Sequence, residues 1–402
     1  MLIIHKLFYS FFIILFPVLS YSQIRYGNEI IYKFTNNILE NLEQDTLSNF
    51  WKAAEDFSFI GDFQNALIYG GKGRQPYPDI SKSDSLFFKS FHPVDAYEYI
   101  LKRARNEQII MINEAHHFPF HRVFINTLLK GLYNLGFRYY GAEALDFRDS
   151  TINQRGYPVL SSGYYIAEPQ FGNLIREALN LGYTLFPYEA RSFKLFRDPK
   201  LRELEQAKNI QQILSKDSTA KILIHAGYAH IREDSLGGQW EKAMAGRFVE
   251  LTGINPLTIN QEVLTERIEP SIENPFYRML EVETPAVLID ELENVFSGPE
   301  GTNYYDVRLY HPRTQYIEDR PHWLLYKNKK HVYLTDKHLF KEFPCIVQAY
   351  NFHEDVDYAI PTDVVEIVNA QTFKPLVLAP GDYQIVIKGQ KGSLKKFSIN
   401  VD

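Results

Sequence analysis

The chain has 402 residues, of which 45% are hydrophobic and 23% are charged, and its formal net charge is -6. This composition is typical of a folded protein with well-buried cores and argues against a disordered chain. The slight acidic excess offers no clustered positive charge for a nucleic acid, so we expect no nucleic-acid partner. Cys345 is the only cysteine, so it cannot form an intramolecular disulfide, and its apolar neighbours predict a buried side chain.

The first 22 residues have the pattern of a secretory signal peptide. His5 and Lys6 precede an apolar run over 7–19, and small residues follow at Ser20 and Ser22. The run is too short to span a bilayer, and no later segment approaches the necessary length. We therefore expect an exported protein, periplasmic or extracellular, whose mature chain begins at Gln23 and has no integral membrane segment.

Four strand-like runs in the middle of the chain each end in charged or histidine side chains. The residues at these ends are Glu114 to His117, Glu143, Glu189 to Arg191, and His225 to His230. Amphipathic helices separate the runs, and many of them have a proline near the start and a glycine just past the end. A β-α alternation predicts parallel strands whose C-terminal ends face one crevice.

The remaining elements complete an α/β fold. Helices are predicted over 24–65, 119–135, 169–181, 199–214 and 239–252, a further strand over 256–259, and a surface loop over 70–84. We expect residues 23–328 to form a mostly parallel sheet with helices on both faces. Short alternating runs and Gly-rich turns predict a small antiparallel β-sandwich over 329–402.

Two carboxylates and two imidazoles are the leading candidates for chemistry in this crevice. Glu114 and His117 stand where the first strand stops, Glu143 follows the second, and His230 follows the last. A lone buried carboxylate is costly unless it is paired, hydrogen-bonded or functional. On an extended backbone the side chains of His116 and His117 point in opposite directions, so only one of them faces the crevice.

This set of side chains supports two chemistries, and the residues alone leave both open. A histidine held by a carboxylate can deprotonate water for attack on an ester or amide. The same groups could instead ligate a divalent transition metal. Glu189, Arg191 and Arg202 are further candidates, either as structural ion pairs or as a clamp for an acidic group of a substrate. His225, inside its apolar run, is assigned a structural role.

Four motifs in this region carry a family resemblance. They are Asn113-Glu114-Ala115-His116-His117, Glu143 after Leu135-Gly136-Phe137-Arg138, the helical run Arg202-Glu203-Leu204-Glu205-Gln206-Ala207-Lys208-Asn209, and Gly227-Tyr228-Ala229-His230. In order and spacing, over about residues 90 to 262, the chain resembles the superfamily that contains the erythromycin esterases, the ChaN-like haem-associated lipoproteins and the TraB/TIKI proteins.

The resemblance implies a hydrolase that acts on a small-molecule or peptide substrate, with Glu114, His117, Glu143 and His230 as its active constellation. His117 would activate water, Glu114 would orient it, and His230 with Glu143 would stabilise developing charge or protonate the leaving group. The ChaN-like branch implies a haem- or iron-binding protein as an alternative, and the TraB/TIKI branch a metal-dependent peptidase. A divalent metal and haem are therefore both open as cofactors, and an inert scaffold is a further alternative.

Overall fold

The structure is a computed structural model that describes residues 31–42, 47–298, 301, 304–334, 342–371 and 374–402. The predicted signal peptide lies outside the described residues. The α-helices within them are Thr35–Glu40, Leu47–Phe59, Phe63–Gly71, Lys82–Phe88, Ala96–Ala104, Phe120–Asn134, Ile152–Arg155, Pro169–Leu181, Phe193–Arg197, Pro199–Lys216 and Met244–Thr252. None of these helices is both long enough and apolar enough to cross a bilayer.

An eight-stranded sheet organises the larger part of the chain. In chain order, strands β1 to β10 are His92–Asp95, Ile109–Glu114, Phe137–Ala142, Thr184–Pro187, Lys221–Gly227, Ser235–Gly237, Glu241–Lys242, Leu257–Leu264, Ala286–Ile289 and Val307–Tyr310. The strand order of the sheet is β1-β9-β10-β8-β2-β5-β3-β4. The strands from β10 to β4 are parallel, and β9, which lies between β10 and β1 at one side, pairs antiparallel with both. The mostly parallel α/β fold predicted from the sequence is confirmed.

Helices cover both faces of this sheet, as alternation along β2 illustrates. Ile110 belongs to a core cluster shared with the helix Phe120–Asn134. Its neighbour Met111 belongs to a second cluster shared with the helix Pro199–Lys216. Because successive side chains of a strand point to opposite faces, an all-apolar strand is stable only when both faces are covered. Polar side chains can therefore collect at the ends of the strands, where this cover stops.

Local sequence signals set several helix ends where the sequence predicted them. The side chain of Asp198 accepts a hydrogen bond from the Leu201 N–H at 3.1 Å and caps the helix that Pro199 opens. The predicted helix over 169–181 is present with those bounds, and Gly182 ends it in the left-handed conformation with φ of 93°.

Two predicted boundaries were wrong. The helix expected over 239–252 begins only at Met244, because β6 and β7 form a short antiparallel pair just before it. The segment 70–84, predicted as a loop, overlaps a helix at each end. Of these, Lys82–Phe88 starts where the Ser81 hydroxyl accepts a hydrogen bond from the Asp84 N–H. A serine N-cap can start a short helix even within a polar segment.

Small antiparallel sheets make up the C-terminal region. Strands β11 to β18 are Tyr316–Ile317, Arg320–Pro321, Lys330–Val332, Cys345–Asn351, Asp363–Ile367, Leu376–Leu378, Gly381–Gly389 and Leu394–Val401. One sheet has the order β15-β14-β17-β18, and β13 pairs with β16 in a second. Residues of both sheets, including Cys345, share one apolar cluster. The predicted boundary at 328/329 remains a prediction.

A buried ion pair joins this region to the α/β part. Arg176, on the helix Pro169–Leu181, donates hydrogen bonds from Nε and Nη2 to the Glu354 carboxylate at 2.7 and 2.6 Å. Both side chains are about nine-tenths buried. Within the C-terminal region itself, Arg320 of β12 donates a hydrogen bond to Asp363 of β15.

Candidate functional site

The four strands whose ends carry the predicted residues are neighbours in the sheet, in the order β2-β5-β3-β4. Glu114 is the last residue of β2, Gly227 ends β5, Glu143 follows β3, and Glu189 comes shortly after β4. Because these strands are parallel, all four ends lie on one edge of the sheet. The convergence expected from the sequence therefore places these residues at one site.

Glu114 is a buried carboxylate held by a buried guanidinium. Arg122 donates from Nε to Glu114 Oε2 and from Nη2 to Glu114 Oε1, both at 2.6 Å. Arg122 also bonds Glu168 Oε2 at 3.0 Å, and Glu168 in turn caps the helix Pro169–Leu181. His225 Nε2 approaches Glu114 Oε2 to 3.0 Å, outside hydrogen-bond alignment, so this histidine belongs to the site and does more than fill the core.

The pKa of Glu114 determines the tautomer of its neighbour His116. Burial raises the pKa of the Glu114 carboxyl, but Arg122 and the surrounding imidazoles lower it more, and the net pKa lies well below the usual value. An ionised carboxylate can only accept a hydrogen bond. His116 Nδ1 lies 2.8 Å from Glu114 Oε1, so Nδ1 donates to this carboxylate, and in the neutral tautomer the lone pair is on Nε2.

The structure assigns the two adjacent histidines differently from the sequence prediction. His116, which we predicted to point away, contacts Glu114 and stacks on Tyr165 with ring centroids 3.8 Å apart. His117 packs against Gly70 and lies 3.4 Å from the Tyr228 hydroxyl. The strand ends at Glu114, so the extended-backbone alternation used in the prediction does not continue to these residues. His117 lies beside the site without contacting either glutamate.

Glu143 is held by three positive or hydrogen-bond-donating groups. Arg202 Nη2 donates to Glu143 Oε1 at 2.6 Å, and the Gly227 N–H donates to Oε2 at 2.6 Å. His230 Nε2 lies 3.4 Å from Oε1. Burial raises the pKa of Glu143, but His230 and Arg202 outweigh it and lower the pKa to about 2. Glu143 is therefore ionised at neutral pH.

His230 lies between two carboxylates. Its Nδ1 bonds Glu203 Oε2 at 2.8 Å, and that oxygen also accepts the Met244 N–H at the start of the next helix. Burial lowers the pKa of His230, but the negative charges of Glu143 and Glu203 raise it above the usual value. The imidazole of His230 is therefore stabilised as a cation.

Gly227 leaves a small hollow in which these groups meet. A Cβ at this position would lie 2.6 Å from His116 Nε2 and 3.3 Å from Glu143 Oε2. Only a residue without a side chain leaves that space open. His116 and Glu143 thus both lie against the space above Gly227, and a Cβ there would displace His116.

Arg202 connects Glu143 to Glu189, another candidate from the sequence. It bonds the Glu189 carboxylate from Nε, with both N···O distances 3.1 Å, while its Nη2 reaches Glu143. Glu189 and Arg202 therefore belong to the site as an ion pair. Arg191 is exposed, and its guanidinium lies 5.8 Å from the centre of the Phe147 ring.

A cavity of about 260 Å³ opens beside this ion pair. Its lining residues are Ala144, Leu145, Asp146, Phe147, Arg148, Gly163, Pro187, Glu189, Ala190, Arg191, Ser192, Phe193 and Phe196. Several of them directly follow Glu143 or flank Glu189, so the cavity adjoins the polar cluster. Its walls are mostly apolar, as is usual for a small-molecule site.

Glu55 is a site residue that the sequence did not reveal. It lies on the helix Leu47–Phe59, is buried, hydrogen bonds with Tyr165 and is close enough to His116 for their charges to interact. Burial raises the pKa of Glu55 to about 7. We had predicted a helix here from its apolar stripe alone, and nothing in its sequence pattern links position 55 to a strand end far along the chain.

The donor set does not fit a divalent cation. Within the part of the chain that the structure describes, no three His, Cys, Asp or Glu side chains are grouped to hold a metal. Both oxygens of Glu114 accept from Arg122, and Glu143 accepts from Arg202 and Gly227. Carboxylates neutralised by guanidinium groups are poorly placed to ligate a metal as well.

Comparison with known proteins gives only distant structural similarity. No protein-family model and no curated protein matches the chain. A solved structure of the type III effector HopBA1 is similar at 14% identity, over 46% of this chain and 93% of that chain, with a TM-score of 0.31. RRSP, a MARTX toxin effector domain from Vibrio vulnificus CMCP6, is similar at 14% identity over 54% of this chain and 46% of that chain, with a TM-score of 0.28. No activity is assigned from similarities at this level.

Proposed function

We propose that the chain is a hydrolase that cleaves an ester or amide bond with water activated by a histidine, as its resemblance to the erythromycin esterase, ChaN-like and TraB/TIKI superfamily implies. One observation carries the proposal. His116, oriented by an ionised Glu114, and the ionised Glu143 border one small hollow at Gly227.

His116 is the general base in this mechanism. Its Nδ1–H donates to Glu114, so the Nε2 lone pair is available to take a proton from a water molecule in the hollow. The water oxygen then attacks the carbonyl carbon, which forms a tetrahedral intermediate. Glu114 stabilises the imidazolium that results, and Arg122 keeps Glu114 ionised and in place.

His230 is the general acid. As a cation between Glu143 and Glu203, it gives its Nε2 proton to the leaving oxygen or nitrogen as the carbon–heteroatom bond breaks. Glu143 fixes His230 and Arg202 on the same side of the hollow. His116 then releases its proton to solvent and His230 takes one up, so each turnover consumes one water molecule and leaves the enzyme unchanged.

Burial strengthens the electrostatic interactions that these histidines make with their neighbours. Glu114, His116, Glu143 and His230 are all more than nine-tenths buried. Charges interact more strongly away from water, so the carboxylates Glu143 and Glu203 stabilise the protonated form of His230. A matched base and acid is what hydrolysis requires.

Export to the periplasm or the cell exterior is part of the proposal, and it is based on the signal-like pattern of residues 1–22. The N-terminal sequence of the secreted protein tests it directly. A first residue at Gln23 is expected, and an intact N-terminus in the cytoplasmic fraction would contradict export.

Turnover of a panel of model esters and short peptides by the full-length protein tests the hydrolase. Product analysis by mass spectrometry should show addition of one water across the cleaved bond. Glu143→Gln should lower kcat/KM by about 100-fold or more, since it removes the charge that holds His230 protonated. Glu281→Gln, an exposed change, is the matched control.

The rival functions are distinguished in the same preparation. Activity lost with a chelator and restored by a divalent metal would favour the metal-dependent peptidase. A visible absorption band on adding haem, without turnover of any substrate, would favour the haem-binding alternative. Turnover that is unchanged by chelator and lost in Glu143→Gln is the outcome that the proposed mechanism requires.

A further inference from the structure

The cavity beside Glu189 and Arg202 has an uneven distribution of charge. Two carboxylates line it, and each already has a guanidinium partner. Asp146 is paired with Arg148, with Nε at 2.9 Å from one carboxylate oxygen, and Glu189 is paired with Arg202. These acidic groups are therefore neutralised before any ligand arrives.

Arg191 is the exception among the charged lining residues. It is exposed, and within the described ranges no carboxylate pairs with it. Its guanidinium lies 5.8 Å from the centre of the Phe147 ring, an interaction that does not use its N–H donors. A guanidinium in this state is suited to bind an anion through two parallel hydrogen bonds.

Large apolar side chains lie next to this cation. Phe147 and Phe193 both line the cavity and are 47% and 45% exposed, although large aromatic side chains are usually buried more fully. Exposed aromatic rings at the mouth of a cavity are typical of a binding surface. The cavity therefore offers an apolar wall and one cation within the same small volume.

The cavity also adjoins the reacting groups. Ala144 and Leu145 follow Glu143 directly, and Glu189 shares the guanidinium of Arg202 with Glu143. A group held in the cavity would thus belong to a molecule whose cleaved bond lies at the Gly227 hollow.

We propose that the substrate carries an apolar, preferably aromatic, group and an anionic group beside the bond that is cleaved, and that Arg191 binds the anion. This inference deepens the proposed function and rests on it for the cleavage step. Arg191 is a specificity residue in this proposal. It takes no part in proton transfer.

Binding of a matched pair of probes tests the recognition step without catalysis. 3-Phenylpropanoate carries a ring and one negative charge, and 3-phenylpropanamide has the same shape without the charge. By calorimetric titration of the full-length protein, the acid should bind about fivefold more tightly than the amide, the range of an exposed ion pair. Raising the salt concentration should reduce that difference.

Two arginine variants identify where the charge acts. Arg191→Gln should abolish the preference for the acid. Arg138→Gln should retain the preference. Arg138 lies near the N-terminal end of β3, whereas the site lies at the C-terminal ends of the strands. Equal binding of acid and amide by the wild type, or an unchanged preference in Arg191→Gln, would overturn the inference. So would an equal loss in both variants, because it would indicate a general effect of net charge.

Hydrolysis of a matched ester pair separates this inference from the proposed function. The mono-p-nitrophenyl ester of phenylsuccinic acid is the anionic substrate, and p-nitrophenyl 3-phenylpropanoate is the neutral one. The ratio of kcat/KM for the anionic ester to that for the neutral ester should exceed one in the wild type, fall in Arg191→Gln and keep its wild-type value in Arg138→Gln. If the acid binds through Arg191 and neither ester nor any peptide is cleaved, the hydrolase proposal fails and the recognition site stands. If both esters are cleaved equally, the hydrolase proposal stands and the proposed recognition of the anion by Arg191 fails.

Discussion

Arg122 positions His116, the base of the proposed mechanism, without taking part in proton transfer. Its guanidinium holds Glu114, bonds Glu168 and also donates to the His116 carbonyl at 2.9 Å. One side chain therefore fixes the backbone and the hydrogen-bond partner of the same histidine. Because this guanidinium is fully buried and paired, loss of either carboxylate would leave an uncompensated charge inside the protein.

The adjacent histidines provide a direct test at single-residue scale. His116→Ala should reduce kcat/KM by about 100-fold or more, the usual contribution of a general base. His117→Ala should stay within about fivefold of wild type and should show its effect in thermal stability, because His117 packs against Gly70 and Tyr228. Steady-state kinetics with the best substrate measures both. The reverse pattern would identify His117 as the general base.

Glu203 should set the alkaline limit of activity. Its charge helps raise the pKa of His230, so the acid keeps its proton to higher pH than an ordinary histidine would. Glu203→Gln removes that charge and should shift the alkaline limb of the pH–rate profile to lower pH. Glu205→Gln, on the same helix, should leave the limb in place. A purely structural role for Glu203 would reduce the rate at all pH values without shifting the limb.

Glu55 should make folding stability depend on pH. Burial raises its pKa in the folded protein to about 7, from the ordinary value of about 4.5, so the folded state holds a proton that the unfolded state releases. This contribution is complete below about pH 4.5 and is lost as pH rises through 7, and its limit is about 3 kcal/mol. The melting temperature of Glu55→Gln should therefore exceed that of wild type increasingly from pH 5 to pH 8. Exposed Glu281→Gln should show no such trend.

At the scale of elements, the glycine at the end of β5 allows His116 and Glu143 to lie close to each other. Gly227→Ala would place a methyl group 2.5 Å from His116 Cε1, so activity should fall by about 100-fold or more. Gly141→Ala is the matched control because its Cβ would meet Phe186 Cζ at 2.6 Å, in the core and away from both histidines. Both should lower stability by about 1–3 kcal/mol. Activity of the folded fraction should survive only in Gly141→Ala.

How far the sequence predicts these elements depends on how local their signals are. The helix Pro169–Leu181 was placed correctly because its proline, its apolar stripe and Gly182 are all adjacent in sequence. The strand ends were brought together correctly because the alternation of strands and helices restricts the topology. The orientation of His116 and His117 could not be predicted, since it depends on the turn after β2. Glu55 could not be predicted either, because the packing of a distant helix brings it to the site.

At the scale of the whole molecule, the C-terminal sheets are anchored to a helix that supports the site. Arg176 binds Glu354, and the same helix begins at the cap residue Glu168, which holds Arg122. The C-terminal region is therefore connected to the site through this helix.

Glu354→Gln should lower the free energy of unfolding by about 3 kcal/mol, because it leaves a buried guanidinium without a charged partner. Asp357→Asn, which breaks an exposed pair with Lys396, should cost less than about 1 kcal/mol. Denaturant titration of the two variants measures both values. Similar losses in the two would show that the buried pair does not stabilise the contact.

The order β2-β5-β3 has a consequence for how the protein matures. Glu114 and Glu143 gain a common neighbour only when β5, synthesised well after both, is inserted between their strands. Pairings between segments so far apart in the chain form slowly. A polypeptide emerging N-terminus first would therefore bring the two carboxylates together, and with them the proposed active site, only in one late step.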